Sequence, residues 1–428
     1  MAQVHAGTQQ FDKALDHFSS ALDMRGSVLG MTNASTGSVL HAMADTAADG
    51  RQAGRALELY KKAILVREAA LGPEHPDVAT TLHNMACVLD ELQGADAALI
   101  AYRRALGLRV KAYGWEHPSV ARTLVNIAAL SQSQGDHALA IDSYRHALPV
   151  LERAYGPRHA FVVTTLGNLG SALLITKQFD EALDTFNKAI KVTTEVKGPT
   201  HSDVGAMLVN VAMVLKAQEQ LASSLAVFER GLPILETHYG ESSAPVAAVC
   251  HQMGVVLAAM NEPQRAIASY ARALRIREMT LGPLHFDVAA TCNNLGIIYT
   301  SIGDLESALQ AYSKTLDISR AIHGDNHIET AAVMHNIGVV LRRGEQLEAA
   351  ASFSSKALAV RELHLGPNHP EVAKTQENLA SILQAQGKRD QAFALLQHVV
   401  KVKTDALGLG HPSVVATLDN LRACAAND

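Results

Sequence analysis

The segment Leu71-Gly72-Pro73-Glu74-His75-Pro76-Asp77-Val78-Ala79 decides the architecture, because the chain writes it again and again. Near-copies are Tyr113-Gly114-Trp115-Glu116-His117-Pro118, Leu281-Gly282-Pro283-Leu284-His285 and Leu365-Gly366-Pro367-Asn368-His369-Pro370. The glycines stand at 72, 114, 156, 198, 240, 282, 324, 366 and 408, each 42 residues after the one before, with a fainter copy at Gly30. A strict period over the whole chain indicates stacked repeats that each touch only their neighbours. Length alone, at 428 residues, would have implied about three globular domains.

Each period reads as two helices. From Asp77 to Leu92, the residues Val78, Leu82, Met85, Ala86 and Leu89 recur at spacings of three and four, one apolar helical face. After a break at Gln93-Gly94, Ala98, Tyr102, Ala105, Leu106 and Val110 repeat the pattern. In the loop, Gly72 is expected to take the left-handed conformation that closes a helix, and Pro73 stops its continuation. His75-Pro76-Asp77 opens the next helix, with proline tolerated in the first turn and an acid favourable at the positive end. Pro149 and Pro233 fall within second helices whose apolar pattern runs on to Tyr155 and Tyr239, so these helices are expected to continue and to kink.

Small residues occupy one position of the first helices: Ala86, Ala128, Gly170, Ala212, Gly254, Gly296, Gly338 and Ala380. Second helices carry Ala56, Ala98, Ala140, Ala182, Ala266, Ala308, Ala350 and Ala392, followed four residues later by aromatics such as Tyr60, Tyr102, Tyr144 and Phe186. With the Leu-Gly-Pro-x-His-Pro loop and the Asn-Leu-Ala/Gly motif, this pattern resembles the tetratricopeptide repeat in the long form of kinesin light chains. The resemblance runs from Phe11 to Ala425 and implies an all-α, right-handed α-α superhelix of antiparallel helix pairs. The expected organisation is one continuous array over 11–425. It comprises a half repeat at 11–30, nine full repeats from about 33 to 410 and a half repeat at 411–425, with 1–10 disordered.

Two polar columns follow the period. Asn84, Asn126, Asn168, Asn210, Asn294, Asn336, Asn378 and Asn420 share one mid-helix position, with Gln252 in the same place and Ala42 in the first repeat. Asparagine is a mediocre helix former, so its recurrence asks for a reason. In families of this pattern first helices line the concave groove, and a similar asparagine ladder lines the peptide-binding superhelix of a glycosyltransferase. A carboxamide offers a donor and an acceptor, matching the backbone of a bound peptide segment. The competing reading is that these amides bond to neighbouring helices. The second column is His75, His117, His159, His201, His285, His327, His369 and His411. Stacked helices lie roughly 8–10 Å apart, too far for equivalent histidines to share an ion, so a loop-capping role is expected and no metal. The same spacing argues against a Cys250–Cys292 disulfide.

Composition sets the remaining limits. A net charge of −5 and 4% aromatic residues fit neither a general nucleic-acid binder nor a base-stacking platform. No apolar run approaches the roughly 20 residues of a membrane helix, and the start lacks a basic region followed by an apolar one. Four cysteines point to a reducing compartment, hence a cytoplasmic protein. No phosphate loop, His-Glu-x-x-His, Gly-x-Ser-x-Gly or Cys-x-x-Cys occurs, and no cofactor is expected. The residues beside the asparagine column include no Lys or Arg, unlike a carboxylate clamp for chaperone tails. The expectation is a non-catalytic scaffold that binds another protein's segment in the groove. By resemblance it is a kinesin light chain-like adaptor for a kinesin heavy chain or cargo. The alternative is a regulatory or sensor array belonging to a larger signalling ATPase or transferase. The repeat with Ser243 for the loop histidine, Gln252 for asparagine and Ser224 and Gly231 for the two small alanines marks an expected weak point at 220–255.

Overall fold

The structure is a computed structural model and describes residues 11–30 and 32–425. The segment 1–10, expected to be disordered, lies outside the described residues. Those residues form twenty α-helices and no strand. They fall into two compact units, 1–218 and 219–428, each built the same way.

A repeat consists of a first helix of mostly 16 residues, such as Pro118–Ser133, and a second of 19, such as His137–Tyr155. The helix read from Asp77 begins one residue earlier and ends one later, as Pro76–Gln93. The loop histidines cap the first helices. Nδ1 of His75 accepts the backbone N–H of Asp77 at 3.1 Å, and His159, His285 and His369 do the same to Phe161, Asp287 and Glu371 at 3.1 Å. An imidazole therefore performs the task usually given to Ser, Asp or Asn, and satisfies one orphan donor of the helix start. Ser243, which replaces the histidine in the middle repeat, makes no side-chain cap bond.

The loop glycine differs from its expected form. Gly72 has φ 92° and ψ 155°, and Gly114 has φ 77° and ψ 169°. The φ is positive, but ψ is extended rather than left-handed helical, a region almost reserved for glycine. A left-handed residue does occur at the other turn, between the two helices of a repeat. There Lys177 (φ 60°), Asn261 (φ 58°) and Glu345 (φ 58°) hold it without being glycine.

In most repeats the core is the aromatic of the second helix pressed on the small residue of the first. A Cβ placed on Gly296 would lie 2.7 Å from the Tyr312 ring, and one on Gly254 2.8 Å from Tyr270. The helices His137–Tyr155 and Leu221–Tyr239 run without interruption through Pro149 and Pro233. Successive second helices are linked at their surfaces by ion pairs such as Lys188–Glu152 (2.6 Å) and Arg272–Glu236 (2.5 Å), whose individual worth is small. Consecutive first helices also touch directly, for example Pro118–Ser133 with Ala160–Ile175 and Ala244–Ala259 with Phe286–Ile302. Within each unit, their outward faces therefore form a continuous surface. All four cysteines are free thiols.

Candidate peptide-binding surface

The asparagine column lies on that surface. Asn84, Asn126, Asn168, Asn210, Gln252, Asn294 and Asn336 are half-buried, Asn420 is exposed and Asn378 is buried. Several of the amides are held from beneath. Asn84 Nδ2 donates to Asp45 Oδ1 at 3.0 Å, which also accepts the Tyr60 hydroxyl. Asn336 Nδ2 donates to Asn293 Oδ1 at 3.3 Å. Asn378 is held at both ends, donating to Ser354 Oγ at 3.1 Å and accepting from Arg342 Nε at 3.2 Å, so it has little left for a ligand.

The inner end of Asn126 lies 3.1 Å from the Tyr102 hydroxyl and 3.4 Å from His83 Nε2. His83 Nδ1 lies 3.2 Å from Arg109 Nη1, and a guanidinium can only donate. Nδ1 is therefore the acceptor and Nε2 carries the hydrogen of the neutral ring. The end of Asn126 that meets Nε2 must then be its carbonyl oxygen, which also accepts the Tyr102 hydroxyl. The same reasoning applies to Asn294, 3.4 Å from Tyr270 and 3.5 Å from His251, whose Nδ1 faces Arg277 at 3.2 Å. Asn84 thus presents an oxygen to the surface, whereas Asn126 and Asn294 present an N–H₂ group.

Beneath the column runs a set of residues that the sequence reading did not single out. Arg67, Arg109, Arg277 and Arg361 each send Nη1 from a second helix to the start of the next first helix. Each meets a threonine hydroxyl at 2.6 Å, on Thr81, Thr123, Thr291 and Thr375. Each also donates to a backbone carbonyl, of Asp77, Ser119, Asp287 and Glu371, at 2.8–3.1 Å. The residue 26 before the arginine is a histidine in every case: His41, His83, His251 and His335. Where that residue is Val125, the arginine is replaced by Leu151; where it is Glu377, by Lys403, whose Nζ reaches the carboxylate at 2.8 Å. The joints between repeats are thus filled by matched sets.

These groups are electrostatically set. Burial, and then the neighbouring Arg109 and Arg122, push the His83 imidazole down to about 3. Burial and Arg361 push His335 down to about 4. Burial lowers Arg109 itself to about 10. Burial also raises the phenols of Tyr60 and Tyr102 well above their ordinary range. His83 is therefore neutral, as its tautomer argument requires. Among the described residues no three of His, Cys, Asp or Glu converge as metal ligands, and no helix is long and apolar enough to cross a membrane.

Stacked helix pairs with a continuous polar column on one face define a repeat protein of the tandem helical-hairpin class. The tetratricopeptide-repeat family matches at 48–109, 119–195, 161–237, 245–321, 287–363 and 346–405, and the chain belongs to it. Solved structures similar to it include BtubC (BKLC) from P. vanneervenii, at 18% identity over 55% of this chain and 92% of that one, with TM-score 0.47. Kinesin light chain TPR-like repeats from Podosopora anserina match at 19% identity over 48% and 98%, with TM-score 0.43. A signal transduction ATPase with numerous domains from Pyrococcus horikoshii, carrying a tetratricopeptide repeat sensor, matches at 14% identity with TM-score 0.59. That match covers 87% of this chain and 54% of the other, and at this identity it shows a shared fold. No curated protein sequence matches.

Proposed function

We propose that the chain is a non-catalytic, cytoplasmic scaffold that binds a segment of another protein along the asparagine column, in the manner of a kinesin light chain-like adaptor. One observation carries the reading: the half-buried carboxamides of Asn84, Asn126, Asn294 and Asn336 are each held at one end by an Asp, Tyr, His or Asn beneath, which leaves the other end for a ligand. An anchored amide has already lost its rotamer freedom, so a bond to a ligand backbone is formed at reduced entropic cost. Each such bond contributes roughly 0.5–1.5 kcal/mol net, and a column offering both oxygen and N–H₂ groups suits the N–H and C=O groups of an extended chain. The array over 11–425, with half repeats at its ends, presents this column within each of its two units, and a kinesin heavy chain or a cargo protein is the partner the resemblance points to.

The test is replacement of Asn126, Asn168 and Asn210 together by alanine. A partner captured by the wild-type chain should bind at least tenfold more weakly, with helix content unchanged by circular dichroism. Equal binding would remove the reading. A second reading has one observation in its favour. The chain aligns with 54% of a signal transduction ATPase with numerous domains and a tetratricopeptide repeat sensor, so a sensor array within a larger protein is the alternative. The gene sequence flanking the chain decides between them.

A further inference from the structure

We infer that the joint around Ser319 is a receptor for a guanidinium group, the arginine side chain of the bound segment. The inference rests on comparing one joint with four others in the same chain. At Arg67, Arg109, Arg277 and Arg361 the guanidinium fills the space between a second helix and the next first helix, meeting a threonine hydroxyl and a first-turn carbonyl. At the equivalent place stands Ser319, with Asn293 where the others have histidine and Val333 where they have threonine. Ser319 and Asn293 are shorter than the arginine and histidine they replace, and Val333 has the size of threonine without its hydroxyl. A cavity of about 380 Å³ remains, lined by Asn293, Asn294, Ser319, Glu329, Val333 and Asn336 among others.

The cavity has lost its cation and the threonine hydroxyl, but it keeps a carboxylate and a first-turn carbonyl. Asp287 and Glu371, the carboxylates at the corresponding position, lie 3.7 Å and 3.2 Å from Arg277 and Arg361. Glu329 is the carboxylate of this joint, and among the described residues it has no ion pair. The backbone carbonyl that accepts the guanidinium elsewhere also accepts the hydroxyl of the threonine four residues on, as Thr291 does to Asp287 at 2.8 Å. Val333 has no hydroxyl, which leaves the Glu329 carbonyl a free lone pair. The Asn293 oxygen, already accepting from Asn336, adds a third acceptor. The cavity lining contains no lysine or arginine. Acceptors on several sides of a slot suit the five-donor guanidinium better than the compact ammonium of lysine. Asn294 and Asn336 belong to the column, so the opening lies where a bound segment would run. The inference therefore deepens the groove reading, although its pocket stands on other helices than the Asn126, Asn168 and Asn210 substitutions.

The experiment uses the whole chain and two dye-labelled, capped pentapeptides. One is Ala-Ala-Arg-Ala-Ala; the other carries citrulline, which keeps the shape and removes the charge. Fluorescence anisotropy should show the arginine peptide binding at least about tenfold more tightly. Ser319→Arg supplies the missing side chain from within and should abolish that binding. Glu329→Gln, a change at an exposed side chain that leaves the fold intact, should bring the two peptides to within about threefold of each other. A lysine peptide should bind more weakly than the arginine one. Equal binding of the arginine and citrulline peptides would overturn the inference. So would full arginine-peptide affinity in Glu329→Gln, or in a folded Ser319→Arg protein. Loss of partner binding in the triple asparagine variant, with the arginine preference retained, would separate the two readings.

Discussion

Acid should loosen the joint between Pro76–Gln93 and Pro118–Ser133, because its histidine resists protonation while folded. Above pH about 6.5, His83 is neutral in both folded and unfolded chains and contributes no pH dependence. Below that value the unfolded chain takes up a proton, whereas the folded ring, held down to about 3 by burial and Arg109, does not. The unfolded state then binds more protons, so stability falls as pH falls, until the folded ring itself titrates. Between pH 6.5 and 5 the loss is about 1.5 × 1.36, or about 2 kcal/mol for this one residue. The chain supplies the control. Replacing His83→Val with Arg109→Leu reproduces the Val125–Leu151 pair found one repeat later, where Thr165 still bonds to the Phe161 carbonyl at 2.7 Å. At pH 7 the double variant should be as stable as wild type or more so, since a buried polar set replaced by matched apolar residues is often neutral or stabilising. At pH 5 it should lose about 2 kcal/mol less than wild type. Stacked repeats open locally, so the readout is urea-dependent hydrogen exchange in 76–93 and 118–133, compared at the two pH values. Identical acid losses in both proteins would show that His83 is not held neutral, and the tautomer argument for Asn126 would fall with it.

Three other outcomes are expected. Gly114→Ala, at a positive φ with open space around the Cβ position, should destabilise by about 1–3 kcal/mol through backbone strain alone, whereas Lys177→Gly should stabilise by up to about 1 kcal/mol; thermal unfolding measures both. Amides of 244–248 should exchange faster than those of neighbouring first helices, because Ser243 leaves its helix start uncapped and its hydroxyl is buried without a partner; Ser243→His should slow them by about 0.5–2 kcal/mol of protection. Pro149→Ala should raise stability by at most about 3 kcal/mol, the value for proline in a regular helix interior, and the shortfall measures how far bending already relieves it.

What was legible followed from local chemistry. The Gly-Pro loops, the 3.6-residue apolar faces and the small-aromatic spacing are signals within a few residues of each other. They place the helix read from Asp77 to Leu92 to within one residue at each end. The loop histidines were also readable as caps, though not the atom used. The arginine joints were not read. Their members stand 26 and 14 residues apart, outside any helical window, and become visible only when one repeat is laid on another and the Val125–Leu151 exchange is noticed. The left-handed Lys177 and Glu345 carry no sequence signal, since neither residue favours that conformation. Which end of each carboxamide faces outward depends on the tautomer of a histidine 43 residues earlier, a fact only three-dimensional contact supplies.

The matched joints also govern how such a chain can be shortened or lengthened. A guanidinium belongs to one repeat and its threonine to the next, so the heritable unit is the seam and not the hairpin. Excising 118–159 would bring Arg109 against Thr165 and leave the seam whole. Excising 286–327, a segment of equal length, would bring Arg277 against Val333, and a buried charge would lose its hydroxyl partner. Gene duplication and protein engineering alike are free to cut this array only where the two sides of the new seam already agree.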